Sequence, residues 1–137
     1  MPRRPAPKDD PEELEETWAL IRPPLEKSYV GRRNKAGKCE VKVVQGEATR
    51  NLPLARNIRH HSQGFEWSYA GSGPAQLALA ILVDCLGDHQ RATALYQKFK
   101  FKVIAGLPNQ GWELTESIVK KTVEILEKED TQEQGRP

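Results

Sequence analysis

Between Gly73 and Gly87 the sequence reads "PAQLALAILVDCL", a run whose apolar side chains point in nearly every direction around a helix. Successive helical residues step about 100° around the axis, so Leu77, Leu79, Ile81, Leu82 and Val83 would occupy most of the circumference. A helix of that kind must be enclosed on several sides. Pro74 suits a first helical turn, where its missing N–H costs little, and Gly87 suits the left-handed stop at the far end. The longest uninterrupted apolar stretch, Leu77 to Val83, has seven residues, against roughly 20 for a membrane span. No signal-peptide h-region is present near the N-terminus, and a cytoplasmic, non-membrane protein is expected.

The walls around that helix must come from the remaining segments. Asp10 is placed to cap a helix over residues 10–22, with Pro11 at its first position and Glu13 closing a capping box. Leu14, Trp18, Ile21 and Leu25 mark one face of this segment, which Pro23 and Pro24 end. Ser28–Arg33 and Lys38–Val44 alternate and are rich in strand formers, with "NKAG" as a hairpin turn between them. A third strand is expected over Ala48–Leu52 and a loop over residues 53–63. Asp88 caps a helix over His89–Ala105, with Ala92, Leu95, Tyr96, Phe99, Val103 and Ile104 as its core stripe. "GLPNQG" breaks that helix. Thr115 then caps the last one, Glu116 to about Glu129.

At 137 residues, 37% of them apolar and 29% charged, the chain has the size and composition of one globular domain. The expected fold class is α+β: a small antiparallel β-meander packed against a bundle of three to four helices with a central buried helix. The expected domain spans 10–129, with helix 10–22 as an extension to a core of 27–128 and with disordered tails at 1–9 and 130–137. Cys39 and Cys85 belong to no C-x-x-C spacing and are expected to be buried thiols. Neither a metal nor a cofactor is expected.

The formal net charge of +2 is unevenly distributed. Residues 1–26 carry four Lys/Arg against seven Asp/Glu, and residues 27–61 carry nine against two. A basic middle attracts phosphate-bearing partners. It also suits the solvated face of a sheet.

The stretch "GFEWSYAGSGPAQLALAIL", Gly64 to Leu82, carries the candidate site. Together with "LYQKFKFKVIAGLP" and "GWELT" it resembles an uncharacterised domain family of bacterial and phage genomes, of the 6166 type. The resemblance extends from about Tyr29 to Val123. It implies a small α+β domain, often carried on mobile elements, and brings no established activity. Where that family has glycines this chain has Ser68 and Ala70.

Gly71, Ser72 and Gly73 precede a helix whose first N–H groups lack intrahelical partners and whose dipole is positive at that end. Such an end binds phosphate or carboxylate. Ser72 offers a hydroxyl, and Trp67 and Tyr69 offer rings for stacking. Arg56, Arg59, His60 and His61 would add charge if their loop crossed the same end. Neither common nucleotide fingerprint is present. The alternative reading is structural: Gly73 or Ser72 caps the helix, and Phe65, Trp67 and Tyr69 are core aromatics, with Phe65–Tyr69 available as a short strand.

Two functions follow from different classes. One is a non-enzymatic binding domain for a phosphate-bearing ligand or nucleic-acid backbone. The other is a protein-interaction or inhibitor module directed at a host protein, with Leu14 and Trp18 as partner-binding residues.

Overall fold

The computed structural model describes residues 25–134. Residues 28–33 alternate between the two faces of the chain and form β1 (Ser28–Arg33), which pairs antiparallel with β2 (Cys39–Gln45) in the register Tyr29 to Val43 and Gly31 to Val41. The turn between them is built by Asn34, whose Oδ1 accepts from Ala36 N at 2.9 Å and Lys38 N at 3.0 Å. Gly37 supplies the positive φ, +81°, that this turn needs. β3 (Ala48–Asn51) follows a tight turn at Gly46 and pairs with β2. The expected meander is therefore present.

A fourth strand, β4 (Gly111–Thr115), adds antiparallel to the other side of β1, giving the order β3-β2-β1-β4. Sequence reading placed only a helix break and a cap here. In "GWELT" Trp112 and Leu114 alternate with polar or small residues, but five residues are too few for period two to stand out. The partner strand is some eighty residues earlier in the chain. Trp112 crosses β1 at Gly31, where any Cβ would collide with the indole, so glycine is required by close approach.

The sheet turns Tyr29, Val41, Val43, Trp112 and Leu114 to one side, all buried. Against that side lies the apolar helix, α1 (Ser72–Leu86), with Gly73 to Leu82 buried without interruption. The enclosed central helix expected from composition is observed. Gly87 closes it at φ +65°, its N–H bonded to Val83 O at 3.0 Å. α2 (His89–Lys102) packs along α1, starting where Asp88 Oδ1 accepts from Arg91 N. It stops before Ala105, because Ile104–Gly106 tighten into a 3-10 turn.

α3 (Glu116–Gln134) packs on both helices, with Thr115 Oγ1 accepting from Ile118 N at 3.3 Å. It runs past Glu129 into the stretch expected to be a tail. Residues 130–134 contain no breaker, Thr131 Oγ1 donates to Glu127 O at 3.0 Å, and Asp130 pairs with Lys98. The two-layer α+β class stands as expected. The helix expected over 10–22 lies outside the described residues. Among the described residues no helix is long and apolar enough to cross a membrane.

Candidate functional site

The loop ahead of α1 is held by one side chain. Gln76 is fully buried in the second turn of α1 and uses all of its amide's principal hydrogen-bonding capacity. Its Oε1 accepts from His61 N at 2.7 Å and Ser62 N at 3.1 Å, and its Nε2 donates to Leu54 O at 2.6 Å and Arg59 O at 3.0 Å. Residues 54–62 therefore run along the flank of α1. Ala55, Asn57 and Ile58 line a cavity of about 140 Å³ with Ala80, Val83, Asp84 and His89.

That path separates residues grouped in the sequence. Arg56 is exposed, and its chain neighbours Ala55 and Asn57 lie beside the stretch of α1 that starts at Ala80, eight residues or about 12 Å along the helix from Ser72. Arg59 and His60 are exposed at the level of Gln76. His61 is half-buried, with Nε2 2.7 Å from Tyr96 Oη. His61 is engaged within the fold.

Glu66 and Tyr69 lie against one side of the helix start. Gly71 is the N-cap, with extended backbone and no side-chain cap, so the cap is not Ser72 or Gly73. Ser72 is exposed and Gly73 is buried. A Cβ on Gly73 would lie 2.5 Å from Glu66 Oε1, and one on Gly71 would lie 2.5 Å from the Tyr69 ring. The Tyr69 hydroxyl donates to Glu66 Oε1, which raises the phenol's pKa. Glu66 thus packs against Gly73 in the first turn of α1 without capping the helix.

Trp67 is 1% exposed and is not available for stacking on a ligand. Its Nε1 donates to Asn109 O at 2.9 Å, its ring meets Trp112 edge-on at 5.4 Å, and the Arg33 guanidinium lies 5.3 Å above it. Tyr69, in contrast, is 48% exposed. Phe65–Tyr69 forms no strand. Its burial alternates, but Ser68 takes a left-handed φ of +75°, and Ser68 N bonds Ile104 O instead of a strand.

Beside Glu66 opens a cleft of about 290 Å³, lined by Arg33, Gly37, Lys38, Cys39, Ser62, Gly64, Phe65 and Glu66. One wall is the end of the β1–β2 hairpin and the other is the segment leading to α1. Arg33 Nε donates to Asn109 O at 2.8 Å and Nη1 to Gly37 O at 3.2 Å, which fixes the guanidinium at this wall. Burial pushes the Cys39 thiol up from its ordinary pKa, with Arg33 opposing and Glu66 adding to the shift. It is therefore a thiol rather than a thiolate near neutrality. Both cysteines are free, and Cys85 is the buried one. Among the described residues no group of three or more His, Cys, Asp or Glu is placed to hold a metal ion.

Sequence reasoning missed Arg33, Lys38 and Gln76. The first two sit in a hairpin that reads as an ordinary solvated turn. Gln76 did leave a signal, since it is a polar residue inside an otherwise apolar turn of an enclosed helix. Much of the basic middle is structural. Lys27 and Arg50 pair with Asp84, Arg32 donates to Gly31 O and Trp112 O, and Lys42 donates to Asn51 Oδ1.

Comparison with known proteins adds family membership. No curated protein and no solved structure matches the chain. The profile of one family covers residues 29–125, from β1 through the cleft and α1 into α3, and the chain accordingly belongs to DUF6166, a family of unknown function.

Proposed function

We propose that this chain is a small binding domain that takes a phosphate-bearing ligand in the cleft between the β1–β2 hairpin and residues 62–66. The observation that carries the reading is the placement of Arg33 and Lys38 on one wall of a 290 Å³ cleft, opposite Ser62 and Gly64. Two cations against the single carboxylate of Glu66 favour an anion. The Ser62 hydroxyl, which accepts from Gly64 N at 3.3 Å, has its own proton to give to a phosphate oxygen.

Thermal shift and calorimetric titration with inorganic phosphate, mononucleotides and short oligonucleotides test this. A ligand at about one hundred times its Kd stabilises the fold by about 2.7 kcal/mol. Lys38→Ala is expected to weaken binding about tenfold, the worth of one charge-assisted hydrogen bond. Glu66→Gln is expected to strengthen it, because a competing carboxylate is neutralised. For the oligonucleotides, log affinity should fall with log salt at a slope of about −2, about one unit for each cation. Absence of any stabilising anion, or indifference to Lys38→Ala, refutes the reading. A steeper slope that depends on Arg56 and Arg59 places a nucleic-acid backbone along the loop instead.

A second reading is favoured by the exposure of Tyr69 and Phe101, at 48% and 65%. Large exposed aromatics anchor protein interfaces. On that reading the chain is an interaction module of the kind mobile elements direct against host proteins. Its association would be insensitive to salt and lost on Tyr69→Ala.

A further inference from the structure

Three charged side chains line the cleft beside the β1–β2 hairpin, Arg33 and Lys38 on one wall and Glu66 on the other. Unlike charges around one opening could close it by pairing. Among the described residues, however, ion pairs join Lys27 and Arg50 to Asp84, Arg91 to Glu127, Lys98 to Asp130 and Lys120 to Glu116, and none joins Glu66 to Arg33 or Lys38.

Each charge is held by its own wall. Arg33 gives Nε to Asn109 O and Nη1 to Gly37 O, which leaves the protons of Nη2 to spare. Lys38 is clamped through its backbone, its N–H on Asn34 Oδ1 at 3.0 Å and its carbonyl on Asn34 N at 2.9 Å, while its ammonium makes no hydrogen bond among the described residues. Across the cleft the Tyr69 hydroxyl donates to Glu66 Oε1, and Gly73 packs against the same side chain. Glu66 Oε2 has no hydrogen-bond donor among the described residues.

The cleft therefore carries a formal charge of +1, two cations less one carboxylate, in a volume of about 290 Å³. At ~30 Å³ for each water-sized group, about ten such groups fit. Inorganic phosphate fills about half of that space and sets an anion facing a carboxylate, which is repulsive. A ligand that also carries a cation turns the repulsion into attraction.

Resting on the phosphate reading of this cleft, we propose that its ligand is a phosphorylated amine, with the phosphate on Arg33, Lys38 and the Ser62 hydroxyl and the ammonium on Glu66 Oε2. A short aminoalkyl phosphate has a net charge of about −1 at neutral pH, opposite to that of the cleft. Phosphoethanolamine, with eight non-hydrogen atoms, suits the volume. Charges of opposite sign on the two walls also fix the ligand's direction, since reversal would set phosphate on Glu66 and ammonium on the two cations.

Calorimetric titration of the full-length chain with phosphoethanolamine and with ethyl phosphate, which lacks only the amine, tests this. Phosphoethanolamine should bind about tenfold more tightly, the worth of one charge-assisted hydrogen bond. Glu66→Gln should abolish that preference and bind ethyl phosphate at least as well as the parent does, which also shows that the variant folds. Lys38→Ala should weaken both ligands and keep the preference, because it acts on the phosphate alone. Equal affinities in the parent, or a preference that survives Glu66→Gln, overturn the inference and leave the phosphate reading standing. Failure of both esters and of inorganic phosphate to bind overturns the two together. With the preference established, cosedimentation with phosphatidylethanolamine vesicles that is lost in Glu66→Gln assigns the amine to a lipid headgroup, and no cosedimentation assigns it to a soluble phosphoamine.

Discussion

Ser68 holds a left-handed backbone, φ +75°, at a position where glycine is the cheaper residue. For a residue with a Cβ that conformation costs roughly 1–2 kcal/mol. Two bonds hold it there, Ser68 N to Ile104 O at 3.1 Å and Ser68 Oγ to Leu107 O at 2.5 Å. The hydroxyl bond contributes about 1 kcal/mol, so strain and bond nearly cancel. Ser68→Gly removes both and should leave Tm almost unchanged. Ser68→Ala keeps the strain, loses the bond and should lower stability by about 1 kcal/mol, near 4 °C in Tm. An alanine variant as stable as the parent would show that the hydroxyl bond contributes nothing, and one as stable as the glycine variant would show that the backbone carries no strain. The backbone shape is primary at this position, and serine holds it through its hydroxyl.

At the scale of elements, Gln76 decides where the loop over residues 53–63 lies. Its four hydrogen bonds replace a strand or helix ladder for a segment that has none. Gln76→Leu keeps much of the volume but leaves two carbonyls and two N–H groups to find other partners. Several such losses, at about 1 kcal/mol each, should destabilise the fold by about 3 kcal/mol in urea unfolding. Amide exchange at His61 and Ser62 should accelerate more than that of the α1 core. Uniform acceleration would instead mean that the loop and helix open as one unit. The elements with strong local periodicity, α1, α2, α3 and the β1–β2 hairpin, were legible in the sequence. β4 and the path of this loop were not, because both are set by contacts between distant residues. Trp112 over Gly31 and Gln76 under Arg59 have no local pattern. The helix start illustrates the same limit: glycines and a positive dipole are visible in sequence, but the packing of Glu66 against Gly73 and of Tyr69 against Gly71 is a tertiary fact.

Across the whole molecule, one carboxylate joins the layers. Asp84, near the end of α1, accepts from Tyr29 Oη of β1 at 2.8 Å, from Arg50 Nη2 of β3 at 2.7 Å and from Lys27 Nζ at 3.4 Å. Burial by itself would raise its pKa, but the hydrogen bonds from Arg50 and Tyr29 and the charges of Lys27 and Arg50 outweigh it, and the carboxyl titrates below its ordinary value of 3.8. A carboxyl whose folded pKa is depressed stabilises the fold when ionised. That stabilisation is complete above 3.8 and is lost as pH falls through the folded-state value. Asp84→Asn removes it at every pH and leaves Arg50 and Lys27 without their counter-ion. At neutral pH the variant should be about 2 kcal/mol less stable than the parent, the scale of hydrogen bonds to a charged, partly buried group. The gap should narrow as acid unfolding is followed below pH 3.8, since the parent then loses the same charge. The sequence shows Asp84 only as a lone acid in an apolar helix, yet that anomaly marks the place where sheet and helices are tied together. If parent and variant instead keep a constant stability difference into acid, the difference comes from packing around Tyr29 and not from the ionised carboxylate.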